Sequence, residues 1–387
     1  MQRLVIVGGG HAHLSVLLAL AGQHLDIETV LITPNTFQTY SGMLPGWLAG
    51  HYSLEDCQID LLPLVQAASA RLILNQVTGI DADRQFVTLS DGTRIDYDFL
   101  SVDVGGETDL SWLEALGQRL LPIKPLGGFV QRWADVVTEA ALRNNFGLAV
   151  VGGGAAGVEI ALATPYAFTE RGCNARVSLI SSERGVLLGH AAGVAKRVRN
   201  LLKKRGITLY ESHAVGVDQG VLLGNGKLVH ADVVIATTGS SPPCWLQQSR
   251  LMLDEHGYIC VDATHRSLSH PEVFAAGDVC TRSDTVMARS GVHAVFAGPV
   301  LAHNLIAGIS GGKLIRYSPR KRSLYLLATG PRHAIASWGA FSAEGRWVWR
   351  WKNWIDRGFM RKHSTEKTIT NCRAGLIKGV AHHGEVP

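Results

Sequence analysis

Short apolar runs alternate with amphipathic stretches along most of the chain, and twice the alternation takes the same form. Leu4-Val5-Ile6-Val7 runs into Gly8-Gly9-Gly10, and residues 11–21 then carry apolar positions at helical spacing. Leu148-Ala149-Val150-Val151 runs into Gly152-Gly153-Gly154 in the same way, followed by a helical stretch over 155–169. A brief continuous apolar run closed by glycine predicts a strand buried on both faces, and the period that follows predicts a helix. The copies stand 144 residues apart, too long a period for a solenoid, so the pattern predicts a duplicated domain.

Between and beyond these units the pattern predicts strands over 28–32, 71–80, 85–89 and 99–104, the last closing on Gly105. Residues 106–124 read as a linker, and 129–142 as a helix. The second unit repeats the plan with a strand over 176–180, a helix over 193–204, a strand over 208–211, a hairpin over 215–230 and a closing run over 231–238 that ends on Gly239. Strands over 258–261 and 273–278, a long helix over 291–309 and a β-rich segment over 323–341 complete the reading. The predicted class is α/β, with two Rossmann-like dinucleotide-binding domains, the second inserted in the first, and a small C-terminal β-rich and helical segment. The expected bounds are 1–120 with 245–315, then 121–244, then 316–387.

The glycine turns bring in chemistry. In a parallel strand–turn–helix unit the first helical turn offers unpaired N–H groups and a positive dipole end to a pyrophosphate. Glycine permits the sharp turn, clears the backbone for phosphate and lets the helix pack close. The second copy has all three positions at Gly152, Gly154 and Gly157, whereas the first has Gly8 and Gly10 but His13 in the third place. The acidic residue that ordinarily binds a ribose hydroxyl at the end of the next strand is replaced by Thr33 and Ser181. Thr33 and Asn35 offer neutral hydrogen-bonding groups. Near Ser181, Arg184 favours a 2′-phosphate and Glu183 opposes it, which leaves NADH and NADPH both open.

With 387 residues and 46% hydrophobic content the chain can bury two or three cores. No apolar run is expected to reach the length of a bilayer span, and the first strand meets a glycine turn where a signal peptide would stay apolar, so a cytoplasmic location is expected. Cysteines 57, 173, 244, 260, 280 and 372 show no C-x-x-C or zinc-like spacing. They read as reduced thiols, with Cys280 or a Cys173–Cys244 pair as the redox alternative. His11 and His13 lack thiol or carboxylate partners in sequence and read as packing groups, so no metal is assigned. Residues 313–378 hold fifteen Lys or Arg against three acids, and the rest of the chain is net negative although the whole carries +5. Such polarity favours an anionic surface as a contact, lipid before nucleic acid.

Phe274-Ala275-Ala276-Gly277-Asp278, coming after two glycine units, resembles a segment of the two-dinucleotide-binding-domain flavoproteins, the pyridine nucleotide-disulfide oxidoreductase superfamily. The resemblance covers most of residues 1–310. It implies that the first turn binds FAD, that Asp278 contacts its ribityl chain or pyrophosphate, and that the second unit binds NADH or NADPH as co-substrate. Gly153-Gly154-Ala155-Ala156-Gly157-Val158-Glu159 is similar to the nucleotide motif of the type II NADH dehydrogenase and sulfide:quinone reductase branch, in which the glutamate lies near the nicotinamide. Gly8-Gly9-Gly10-His11-Ala12-His13, Tyr40-Ser41-Gly42-Met43-Leu44-Pro45-Gly46 and residues 349–357 resemble most the oxidoreductase module found fused to selenophosphate synthetase. Residues 291–296 depart from the glutamine-rich quinone-pocket motif, and the cysteines of sulfide:quinone reductases have no counterparts.

On this resemblance the FAD pyrophosphate is expected on Gly8, Gly10, His11 and Ala12, with the adenosine near Thr33, Pro34, Asn35 and Val77. The ring system is expected among Pro45, Asp103, Gly105, Gly277 and Asp278. The nicotinamide dinucleotide is assigned to Gly152, Gly154, Ala155, Ala156, Glu159, Ser181 and Gly239. The flavin carries the chemistry, with Glu159 and Lys124 as candidate catalytic groups, although Lys124 reads first as a solvated lysine. The expected function is a FAD-dependent NAD(P)H oxidoreductase with a small-molecule electron acceptor, quinone or another. The alternatives are a sulfide- or selenium-related quinone reductase and a non-enzymatic flavin sensor or scaffold; a homodimer is open. Over 347–361, Trp347, Trp351, Trp354, Ile355 and Phe359 share one helical face and Arg346, Arg350, Asn353 and Arg357 another. That face predicts either packing on the flavin domain or a peripheral contact with the inner membrane surface.

Overall fold

The computed structural model describes residues 1–364 apart from 24, 288, 290 and 321. Its first sheet is built from β1 (Gln2–Val7), β2 (Ile27–Thr33), β3 (Arg71–Leu74) and β4 (Phe99–Val102), with helix α1 (His11–Leu20) after β1. The chain then passes through β5 (Leu120–Pro122) and α2 (Leu126–Leu142). The second unit follows as β6 (Phe146–Val151), α3 (Ala155–Thr169), β7 (Ala175–Ser181), α4 (Ala192–Lys204), β8 (Thr208–Glu211) and β9 (Val233–Ala236). It returns through β10 (Val273–Ala275) and α5 (Gly291–Ser310) to a C-terminal segment of β11 (Leu324–Ala328), β12 (Ala334–Trp338), β13 (Phe341–Gly345) and α6 (Arg346–Ser364).

Both main sheets are five-stranded, parallel throughout, and ordered alike. The first runs β10-β4-β1-β2-β3 and the second β5-β9-β6-β7-β8. In each, the strand before the glycine turn lies at the centre, beside the strand that closes the unit. Leu4–Val7 and Leu148–Val151 are buried throughout, which is why they read as continuous rather than alternating apolar runs. The outer strand differs in origin, since β10 comes late in the chain whereas β5 precedes its own unit. Residues 106–124 are therefore more than a linker, because Leu120–Pro122 pairs with β9. Helix α2 likewise begins at Leu126, three residues before the expected start, directly after Pro125.

Helix α5 is long and apolar enough to cross a membrane, with 20 residues and mean hydropathy 1.5, contrary to the expectation that no such run exists. It packs along α1 in the first domain core, burying Ala294, Ala297, Leu301 and Leu305, and a Cβ on Gly298 would come within 2.8 Å of the Ser15 hydroxyl. Length and apolarity here follow from burial between layers.

The C-terminal segment clasps both units. Arg197 pairs with Glu344 at 2.6 Å, His190 meets Ser337, and His51 meets the Gly330 carbonyl at 2.7 Å. Tyr52 donates to Asn353 at 2.8 Å. The face of α6 that turns inward is not the tryptophan face. Val348, Lys352, Asp356, Met360 and His363 are buried, while Trp347 and Trp354 are 54% and 60% exposed. Of the expected face only Phe359 and Trp351 are partly covered. The rest of the basic stretch, with Cys372, lies outside the described residues.

Candidate dinucleotide sites

At the first turn Gly8 takes φ +93°, and its missing Cβ leaves room for the main chain of Asp103. Gly10 caps α1, and a Cβ there would fall on the Asp103 carboxyl. That carboxyl, at the end of β4, accepts from the N–H groups of Ala12 at 2.8 Å and His13 at 3.3 Å. Burial pushes Asp103 up to about 7, against the two N–H donors that pull it down and with Asp278 adding to the rise.

His13, in the third glycine position, is fully buried and braces the turn. Its Nδ1 donates to the Gly8 carbonyl at 2.6 Å, and its Nε2 accepts from the Ser101 hydroxyl at 2.8 Å. Burial holds its pKa down at about 4, so the imidazole is neutral and the carbonyl fixes the proton on Nδ1. The close packing that glycine would supply is replaced by a hydrogen-bonded wedge between β1 and β4.

Asp278 stands beside Gly277 (φ +75°), whose missing Cβ makes room for Asp103 Oδ1. Lys124 is not a solvated lysine: its Nζ lies 2.6 Å from Asp278 Oδ2 and within 3.5 Å of Ser240 Oγ, where the two units meet. His11 is held to a pKa of about 4 by burial, with Asp278 opposing, and its Nε2 finds no hydrogen-bond partner among the described residues. Its ring lies 5.7 Å from Tyr40 and 6.0 Å from Phe359 of α6. Thr33 is buried beside Gly9, Pro34 and Asn35 are exposed next to it, and Val77 packs behind β1 and β2. Gly8, Gly10, His11, Ala12, Asp103, Gly277, Asp278 and Lys124 thus converge. Gly105 has open space on its side-chain side, and Pro45 is buried on a short helix, Leu44–Leu48, packed against α3.

The second turn is built on three glycines. Gly152 takes φ +129° and lies against Thr237; a Cβ on Gly157 would fall on the Gly152 carbonyl. Thr237 occupies the place of Asp103, its N–H donating to Val151 as that of Asp103 donates to Val7. Gly154, which caps α3, has nothing within 4 Å of its missing Cβ, and Ala156 is exposed beside it. Ser181 is buried under Gly153, and Gly239 is exposed after β9.

Glu159, one turn into α3, points toward the C-terminal segment and accepts from the Ala328 N–H at 2.7 Å. Burial raises it to about 7, with Lys352 opposing. Lys352 Nζ binds Asp356 at 2.8 Å and the Gly42 carbonyl at 2.6 Å, and the Tyr40 hydroxyl donates to Asp356 at 3.3 Å. Burial disfavours the ammonium, but Asp356 and Glu159 outweigh it and raise the Lys352 pKa. Lys352, Asp356 and Ser101 escaped the sequence reading. For Lys352 and Asp356 the only trace is a shared helix face, since with Val348 and Met360 they recur every four residues, a spacing that an ordinary surface ion pair has as well. Cys280 is buried with its thiol pushed up by burial, and its Sγ meets main-chain carbonyls, which makes it a packing group. Cys173 and Cys244 are free thiols.

The model of the pyridine nucleotide-disulphide oxidoreductase family matches residues 2–298. The chain belongs to this family. It is an oxidoreductase, and proteins of the family bind FAD and NAD(P)H. It is 26% identical to a probable ferredoxin reductase of Castellaniella defragrans over 73% of this chain and 68% of that one. An NADH dehydrogenase-like protein of Mycobacterium tuberculosis is 25% identical over 72% of this chain and 73% of its own. The fold is similar to that of the sulfide:quinone oxidoreductase of Aquifex aeolicus, with a TM-score of 0.77 and 18% identity, over 94% of this chain and 91% of that one.

The residues at both turns suit the cofactors of the family. At the first, the helix N-terminus and the His11 Nε2, which has no hydrogen-bond partner among the described residues, suit a flavin dinucleotide, while the sides of Gly8 and Gly10 are taken by Asp103. At the second, the open side of Gly154 suits a phosphate resting on the backbone.

Proposed function

We propose that the chain is a FAD-dependent NAD(P)H oxidoreductase, with FAD on the first turn and the nicotinamide dinucleotide on the second. The reading rests chiefly on two identically ordered parallel sheets, each carrying its glycine turn at the C-terminal end of the central strand, the usual seat of a ligand in such folds. It divides the chain at 1–120 with 245–315, at 121–244 and at 316–387. When bound, the flavin supplies the redox chemistry. Asp278 and Lys124 form an ion pair at the junction, and Glu159 offers a carboxyl that gains and loses its proton near neutral pH.

Stopped-flow mixing with NADH and NADPH tests this. The purified protein should bleach in its flavin band and turn over with an added acceptor; a flavin that neither coenzyme reduces overturns the enzymatic reading in favour of a sensor. Asp278→Ala should lose most of its flavin on purification, and full yellow colour would refute the assignment. The relatives named above are a probable ferredoxin reductase and an NADH dehydrogenase-like protein, and the neighbour in fold is a sulfide:quinone oxidoreductase, so the acceptor is proposed only as a small oxidant or redox protein. A screen of NADH-reduced enzyme against quinones, ferredoxin and polysulfide identifies it.

A second reading concerns the surface of the C-terminal segment. Trp338, Phe341, Trp347 and Trp354 are each more than half exposed, alongside exposed Arg346, Arg350 and Arg357. Exposed tryptophan beside arginine fits an anionic lipid interface. Flotation with anionic vesicles should recover the wild type and lose a Trp347→Ser/Trp354→Ser variant, whose changes leave the buried face intact. Equal flotation of both would end the lipid reading.

A further inference from the structure

A glycine that caps a dinucleotide-binding helix clears space for phosphate. At Gly10 that space is filled from within, since the Asp103 carboxyl lies where a Cβ would stand and takes the N–H groups of Ala12 and His13. Those N–H groups are also the ones that an anion on this helix end would use. The carboxyl is boxed in: Oδ2 is held by α1, and Oδ1 faces Gly277, which has no side chain to displace. Among the described residues Asp103 forms no ion pair, and its charged neighbour Asp278 is committed to Lys124. A phosphate and an ionised Asp103 would therefore bring two anions onto one helix end with no cation between them.

Resting on the reading of the first turn as the FAD site, we propose that Asp103 takes up one proton from solvent when the flavin dinucleotide binds, and stays in place as a neutral carboxyl beside the phosphate. The groups that face it do not compete for that proton. His11 and His13 of α1 are held neutral by burial with pKa values of about 4, and the Cys280 thiol is pushed up. Asp278 is turned to Lys124 across the junction. Asp103 itself, lifted by burial to about 7, is poised to change charge at neutral pH. Because binding takes up the proton, affinity falls as pH rises above that value.

The test is calorimetric titration of FAD into the flavin-stripped full chain at about pH 8, in two buffers of different ionisation enthalpy. The wild type should absorb nearly one proton per FAD, and Asp103→Asn none. Flavin-fluorescence quenching should show the wild-type dissociation constant rising toward tenfold per pH unit above neutrality, with the variant flat. Zero uptake in the wild type overturns the proposal, and so does equal uptake in Asp103→Asn. Should the variant fail to fold, the wild-type proton count decides alone. FAD binding with a flat pH profile leaves the site reading intact and sinks only the proton; no FAD binding at any pH sinks the site reading itself.

Discussion

At the second turn Gly157 lets α3 lie on the Gly152 carbonyl, Thr237 seals the end of the closing strand, and the side of Gly154 stays open. At the first, His13 wedges between the Gly8 carbonyl and Ser101, and Asp103 fills the side of Gly10. The strand order around the two turns is identical, so the difference lies in the turns themselves. One holds helix and strand together by removing atoms, the other by adding a neutral imidazole and a buried carboxyl. The second turn offers bare backbone to its ligand, whereas the first offers backbone already satisfied by a titratable group. A duplicated scaffold can thus present one anion site that ignores pH and another that responds to it.

The comparison breaks most sharply at the third position. Gly157→Val should cost about 4 kcal/mol or more, since the new side chain meets main-chain carbonyl that has nowhere to move. His13→Gly should cost about 2–3 kcal/mol, from two lost hydrogen bonds and a cavity that the backbone can partly close. Urea unfolding measures both, and a Gly157→Val variant as stable as His13→Gly would mean that the turns are packed alike.

The next largest effect lies where α6 joins the units. Lys352→Met leaves Asp356 and Glu159 without their buried cation and should cost about 3 kcal/mol. The double variant Lys352→Met/Asp356→Leu should recover most of the loss, because a well-packed apolar pair can replace a buried ion pair. Recovery in urea unfolding separates the loss of charge balance from the loss of packing.

These residues also mark where sequence reading reached its limit. Leu4–Val7 and Leu148–Val151 were legible as strands, and Gly8 and Gly152 as turns, because burial on both faces and positive φ leave local traces. Lys352 and Asp356 have the spacing of an ordinary surface pair, and only Gly42 and Tyr40, some 310 residues away, make them interior. The tryptophans of α6 outweigh Val348 and Met360 in any apolar count, and of the two expectations for that face, packing inward or meeting a membrane surface, only the first is removed by their exposure. Asp103 was legible as a site residue from the strand that precedes Gly105, but its hold on α1 depends on β4 lying beside β1. Leu120–Pro122 is too short to show a period, and it becomes a strand only because β9 pairs with it.

Glu159 extends the comparison to pH. Its folded pKa is raised from 4.5 to about 7, so its contribution to stability is fully present below about 4.5 and is lost as pH rises through about 7. Between pH 5 and 8 the wild type should lose about 2–3 kcal/mol more than Glu159→Gln, measured as urea midpoints at each pH. An unchanged pH slope in the variant would show that the carboxyl is ionised throughout and that Lys352, rather than burial, sets its state.

The smallest expected effect tests whether the second turn can be given an anion as the first has Asp103. Ser181 ends β7 directly under Gly153, at the height where a ribose would lie beyond the turn. An aspartate there has no room beneath the glycine and must turn its carboxylate outward, where it accepts from ribose hydroxyls and repels a 2′-phosphate. Ser181→Asp should therefore shift the NADH-to-NADPH ratio of kcat/KM toward NADH by about tenfold, or about 1.4 kcal/mol. Flavin content should stay unchanged, since the first turn is untouched. A ratio that does not move would mean that the nicotinamide dinucleotide leaves the turn without passing the end of β7, and the likeness of the two units would then stop at the phosphate.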